Sequence, residues 1–264
     1  MDTIAFIGGG NMAAAIIGGL VASGWAPSRI TVVDPNADQK DRLAREQGVK
    51  TSGDVTAASA ADIIVLAVKP QVIPGVAEQM STDLTGKLIL SIAAGVTIET
   101  LEGLFGPVAI ARTMPNTPAL LGLGATGLYV NEHTTDVQRT AAKEVIEAFG
   151  ICVTVAREDL LDAVTAVSGS GPAYYFLMIE EMIRAGTALG LTPDEAKALT
   201  LQTALGAATM AVQGDAPEDL RARVTSPNGT THAAIVSLQG NGFGDVIEKA
   251  MIACRDRAVE LGKG

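Results

Sequence analysis

Apolar positions follow two different rhythms along this chain. Up to about residue 156, short runs of β-branched and aliphatic residues at 4–7, 30–33, 63–68, 88–92 and 108–111 alternate with helix-like stretches at 11–23, 37–47 and 97–105. These runs are apolar at nearly every position, Thr31 and Ser91 excepted, rather than at every second one, and glycines flank several of them. That pattern predicts strands buried on both faces, as in a parallel sheet. Further strand-like runs at 125–130 and 151–155 enclose a helical stretch at 136–149. Strand–helix alternation with right-handed crossovers predicts a doubly wound parallel sheet.

Beyond about residue 156 the strand rhythm stops. Helices are expected over 159–167, 173–189, 193–213, 230–238 and 243–261. Thr192 is a good N-cap, with Pro193 at the first helical position and Asp194 and Glu195 in the first turn. The chain therefore reads as α/β: a doubly wound parallel sheet over 1–156, followed by an all-α helical domain over 157–264. Several of these helices, 199–212 among them, carry Ala, Leu and Met on more than one face. Core packing and a subunit interface both account for that.

Composition narrows the function. The chain has 264 residues, a net charge of −10 and only 3% aromatic residues. Nucleic acid and anionic membrane are disfavoured as partners, since both repel an acidic surface. No uninterrupted apolar run approaches the roughly 18–20 residues of a membrane span. The N-terminus lacks the basic start of a secretory signal, and the two cysteines and two histidines show neither metal-ligand spacing nor a disulfide framework. No metal site is expected, and a reducing, cytoplasmic setting fits.

The chemistry sits in loops. Residues 4–7 run straight into Gly8, Gly9, Gly10, Asn11, Met12 and Ala13, a G-x-G-x-x-A pattern between a strand and a helix. Gly8 allows a tight turn, Gly10 lets backbone approach a pyrophosphate, and Ala13 keeps the helix close to the sheet, as in a Rossmann dinucleotide-binding unit. Asp34 ends the second strand, where a carboxylate accepts from the ribose 2′-hydroxyl of NAD and repels the 2′-phosphate of NADP. It can equally cap the turn before Pro35, and Asn36, Lys40 and Arg42 follow, so NADP and NAD both stay open. Lys69 after Ala67 and Val68, and Ile92 with the small residues Ala93 and Ala94, end two more strands at the same edge. Asn116 and Thr117, between Pro115 and Pro118, offer an amide and a hydroxyl there. Residues 168–173 read as a flexible loop ending in Pro172. Pro227, Asn228 and Gly229 force a turn before a helix whose free amides and Thr230 and Thr231 hydroxyls suit a carboxylate, or simply cap the helix.

Taken in order, Phe6 to Ala13, Ala67 to Pro70, Met114 to Pro118, Asp162 to Thr165 with Ser168 to Ala173, and Ser226 to Thr231 resemble successive signatures of the pyrroline-5-carboxylate reductase family. The resemblance spans nearly the whole chain. It implies a Rossmann domain and an all-helical domain through which subunits interlock as homodimers, often in larger rings. It implies reduction of the cyclic imine L-1-pyrroline-5-carboxylate to L-proline, the last step of proline synthesis. By motif position, Ile7, Gly8, Gly9, Gly10, Asn11, Met12, Asp34, Asn36, Asp54, Ala67, Val68, Lys69, Ile92, Ala93 and Ala94 would contact NADP or NAD. Gly229, Thr230 and Thr231 would hold the small-molecule substrate, with Thr231 donating to the ring nitrogen. An iminium is already electrophilic, so a sequence without a convincing His, Cys or carboxylate pair suffices. Two readings compete. A β-hydroxyacid dehydrogenase needs a catalytic lysine, for which Lys197 is the one lysine in the central helices. A non-catalytic NAD(P) sensor would bind without turnover.

Overall fold

The computed structural model describes residues 3–80 and 83–262. The chain divides into two compact units, residues 1–170 with 254–264, and residues 171–253. The first unit is built on one eight-stranded sheet in the order β3-β2-β1-β4-β5-β6-β7-β8. Its first half runs β1 (Ile4–Ile7), α1 (Asn11–Ala22), β2 (Ile30–Val33), α2 (Ala37–Gln47), β3 (Lys50–Ser52), β4 (Ile63–Leu66) and α3 (Ile73–Gln79). The second half adds β5 (Leu88–Ser91), α4 (Ile98–Phe105), β6 (Ala109–Met114), β7 (Gly124–Val130), α5 (Asp136–Glu147) and β8 (Gly150–Thr154). Short α6 (Leu160–Val164) follows. All neighbouring strands are parallel except β6 and β7, which pair antiparallel.

The sheet is covered on both faces, and period two sorts the side chains between them. Ile4 and Phe6 enter one core with Ile16, Ile17 and Leu20 of α1 and Phe149. Ala5 and Ile7 enter the other, with Ile73 and Val76 of α3 and Leu101 of α4. This explains why β1 and β4 read as unbroken apolar runs and why β5 is apolar up to its last residue, Ser91.

The second unit is helical: α7 (Gly171–Ala188), α8 (Pro193–Ala211), α9 (Pro217–Arg223) and α10 (Thr230–Gly240), with the start of α11 (Phe243–Gly262), whose last turns belong to the first unit. Thr192 caps α8 as expected, in a reciprocal capping box with Glu195. The last strand ends at Thr154, while the compact units divide at Ser170. The difference arises because α6 packs on the sheet: a side chain added at Gly127 of β7 would meet Val164 and Leu161.

One expectation is overturned. Residues 168–173 are not a flexible loop. Thr165–Gly169 form a π-helical turn in which Ser170 N–H donates to Thr165 O at 2.8 Å, and α7 begins at Gly171. The side chains close their own turns, Thr165 Oγ1 donating to Leu161 O and Ser168 Oγ to Val164 O. Among the described residues, no helix is long and apolar enough to cross a membrane.

Candidate functional site

The strand order reverses between β1 and β4, and open α/β sheets bind their ligands at the carboxyl ends of the strands flanking that point. Here the loops leaving the two strands lie backbone against backbone. Ala67 N–H donates to Ile7 O and Gly8 N–H to Val33 O, both at 2.8 Å. Gly8 has φ +101°, and a methyl group on it would stand 2.6 Å from the carbonyl oxygen of Ala67. No other residue fits there. Gly10 is the opposite case: it is exposed, and nothing lies within 4 Å of where its Cβ would be. As the N-cap of α1 it has no side chain to cap the helix, so the first-turn amides stay open to an anion. Ala13, 1% exposed, lets α1 sit tight on the sheet. The residues present thus fit a dinucleotide diphosphate.

The polar residues expected at this edge carry structural bonds. Asp34 Oδ2 accepts from Gly9 N–H at 2.7 Å and Oδ1 from Asn36 N–H at 2.8 Å, so the turn-capping reading of Asp34 is realised. Asn36 Oδ1 caps α2 by accepting from Gln39 N–H at 3.3 Å. Asp54, beyond β3, accepts from Thr56 N–H at 2.9 Å, and that bond holds its carboxyl below the usual carboxylate range. Lys69 is exposed and opens the turn Pro70–Val72. Ile92, Ala93 and Ala94 follow β5, with Ala93 buried and Ala94 exposed. Topology therefore brings residues 7–12, 34, 36, 54, 67–69 and 92–94 to the carboxyl ends of β1 to β5.

Asn116 turns inward instead of offering its amide to a ligand. It is 8% exposed, donates to Ser168 O at 3.0 Å and accepts from Ala125 N–H at 2.9 Å, and so braces the π-helical turn against β7. A cleft of about 210 Å³ opens beside Ala93 and Ala94, walled by Arg112, Asp162 and Leu261. Arg112 pairs with Glu158 at 2.6 Å, and the same carboxylate oxygen takes Ile98 N–H at 2.8 Å. Asp162 is pushed up in pKa by burial, against the pull of Arg112. In the sequence Asp162 stood only within a family signature and Ala93 and Ala94 only as cofactor contacts; Arg112 and Leu261 come from β6 and α11, far apart in the chain, with no motif joining them into one cluster.

In the second unit, Gly229 is the N-cap of α10 and makes no side-chain cap bond, so the amides of Thr230 and Thr231 begin a helix without a cap. Asn228 holds φ +61°, the left-handed conformation its side-chain type tolerates, and Gly229 N–H closes the turn onto Ser226 O at 3.0 Å. Lys197 stands exposed near the start of α8, with Asp194 and Glu195 before it.

Comparison with known proteins agrees with this layout. Residues 158–261 match the family model for pyrroline-5-carboxylate reductase dimerisation, and residues 3–95 match that for NADP oxidoreductase coenzyme F420-dependent. The pyrroline-5-carboxylate reductase of Pseudomonas aeruginosa is 48% identical, over 98% of this chain and 97% of the relative. The solved structure of the Coxiella burnetii pyrroline-5-carboxylate reductase superposes with a TM-score of 0.96 at 42% identity, covering 100% of this chain and 99% of that one. The Plasmodium falciparum pyrroline carboxylate reductase, solved with NADP bound, gives 0.86 at 29% identity, with 98% of each chain covered. The chain belongs to the pyrroline-5-carboxylate reductase family, and thereby to the NAD(P)H-dependent oxidoreductases.

Proposed function

We propose that the chain reduces L-1-pyrroline-5-carboxylate to L-proline, with residues 1–156 binding the dinucleotide and residues 157–264 binding substrate and joining subunits. The observation that carries it is the uncapped start of α1 beside Gly10, where the protein leaves clear the space a diphosphate needs. Ile7, Gly8, Gly9, Gly10, Asn11 and Met12 form the phosphate cradle. Asp34, Asn36 and Asp54 border the adenosine end, and Ala67, Val68, Lys69, Ile92, Ala93 and Ala94 the nicotinamide end. When bound, the reduced nicotinamide supplies a hydride to the imine carbon.

The chain's own part is positioning. Gly229, Thr230 and Thr231 hold the substrate carboxylate on the open amides of α10, which favour an anion. Thr231 Oγ1 donates to the ring nitrogen, which gains the proton that balances hydride addition. Orienting the two carbons at near-attack distance supplies most of the rate. Assembly proceeds by homodimers through the helical domain, gathered into a ring, in the cytoplasm.

Thr231→Val should lower kcat/KM by about a hundredfold, the scale of a positioned proton donor. A fall of less than about threefold would remove Thr231 from the chemistry. Oxidation of NADH and NADPH with the cyclic imine, set against a hydroxyacid panel run in reverse, separates this reading from a hydroxyacid dehydrogenase and from a sensor.

A further inference from the structure

The end of β2 carries a carboxylate that the backbone has fixed in place. Asp34 directly follows Val33, and each of its two oxygens accepts a main-chain N–H, from Gly9 at 2.7 Å and from Asn36 at 2.8 Å. Gly9 lies close enough that a Cβ on it would stand 3.4 Å from Oδ2. Turning the side chain away would leave two amides without partners, so the negative charge stays where it is.

Three consequences follow at the place where a Rossmann domain receives the adenosine ribose. The fixed charge opposes a dianionic 2′-phosphate. Two backbone donors beside it, Gly9 N–H and Asn36 N–H, are already taken. Each carboxylate oxygen keeps a further lone pair, which a 2′-hydroxyl can donate into and a 2′-phosphate cannot. Of the neighbouring cations, Arg42 donates to Gln39 Oε1 at 2.9 Å and to Gly9 O at 3.5 Å, and the Lys40 ammonium lies beside Gly53, 3.2 Å from where a Cβ there would be.

We infer that Asp34 makes this chain an NADH-preferring reductase, selecting the dinucleotide whose adenosine ribose carries a free 2′-hydroxyl. The inference rests on the reductase reading above and narrows it.

The test is kcat/KM for NADH and for NADPH with pyrroline-5-carboxylate as substrate. Wild type should favour NADH by at least about tenfold, the scale of one hydrogen bond. Asp34→Ser removes the charge and frees both amides, and should swing the ratio toward NADPH by about a hundredfold. Calorimetric titration of the wild type with ADP-ribose and with its 2′-phosphate needs no variant, and should show the unphosphorylated ligand binding about tenfold tighter. A wild type that uses NADPH as well as NADH, or a ratio that Asp34→Ser moves by less than about threefold, overturns the inference. Selective binding of ADP-ribose without turnover of the imine would leave the selection standing and remove the reductase reading.

Discussion

In residues 1–170, β1, β4 and β5 are buried at every position, and Phe6, Ile16 and Leu66 are wholly hidden. In residues 171–253 only Gly171, Ala196 and Thr200 are buried, while Tyr175 is 73%, Val212 84% and Leu189 88% exposed. The same residue types thus serve two ends. The sheet unit hides most of its apolar side chains internally, with exceptions such as Leu121 and Leu123 before β7 and Ile151 on the edge strand β8. The helical unit presents apolar side chains on several faces of α7, α8 and α10, far more than a lone soluble chain tolerates. A second copy is the natural cover, in accord with the dimerisation model matched over 158–261. Stability in the first unit should be a property of the chain, and in the second a property of its concentration.

The sharpest way to break this contrast is a charge on the helical surface. Leu205 on α8 is 61% exposed, a site where substitution in an isolated chain would cost no more than about 0.5 kcal/mol. In the assembled protein, Leu205→Asp buries an unpaired carboxylate, and the subunit dissociation constant should rise at least about a hundredfold. Sedimentation velocity across a dilution series reads this directly. A variant that sediments like the wild type at every concentration would show that α8 faces solvent after all.

A smaller effect, of the opposite kind, is expected from Asn116→Ala in the sheet unit. Its amide joins Ala125 N–H to Ser168 O, and its loss leaves both groups unpaired at a cost on the order of 2 kcal/mol. The midpoint of thermal unfolding should drop equally at two protein concentrations about tenfold apart. A drop that grows on dilution would mean that the π-helical turn is held by the assembly rather than by Asn116.

The two regions were also unequally legible in the sequence. Strands such as Ile63–Leu66 announce themselves because burial on both faces demands an unbroken apolar run. Lys50–Ser52 was missed: it is three residues long, polar and at the sheet edge, where it pairs with one strand, β2. The short helices Ile73–Gln79 and Pro217–Arg223 escaped because seven residues scarcely establish a period, and Pro74 with Gly75 breaks the first. At the site, the glycine loop was readable because φ +101° at Gly8 and the clearance at Gly10 require glycine. Asn116 was misplaced at the ligand, and 168–173 taken for a loop, for one reason. The bond between them links residues 52 apart, and local pattern carries no trace of it.

The smallest expected effect concerns the cleft beside Ala93. Burial raises the Asp162 carboxyl, with Asp159 and Glu158 pushing the same way and Arg112 opposing. A raised carboxyl means the folded chain holds its proton at a pH where the unfolded chain has released it. Stability on this account is intact below the ordinary aspartate range, falls as pH rises through the window up to the raised value, and stays lower above it. Asp162→Asn removes that penalty. Its unfolding midpoint should exceed the wild type's at pH 8 by no more than about 3 °C, and the gap should close as pH falls toward 4. Because Asp162 lies in the sheet unit, the gap should be the same at every protein concentration. A variant less stable than wild type at pH 8 would mean that attraction to Arg112 outweighs desolvation, and that this carboxylate supports the fold instead of straining it.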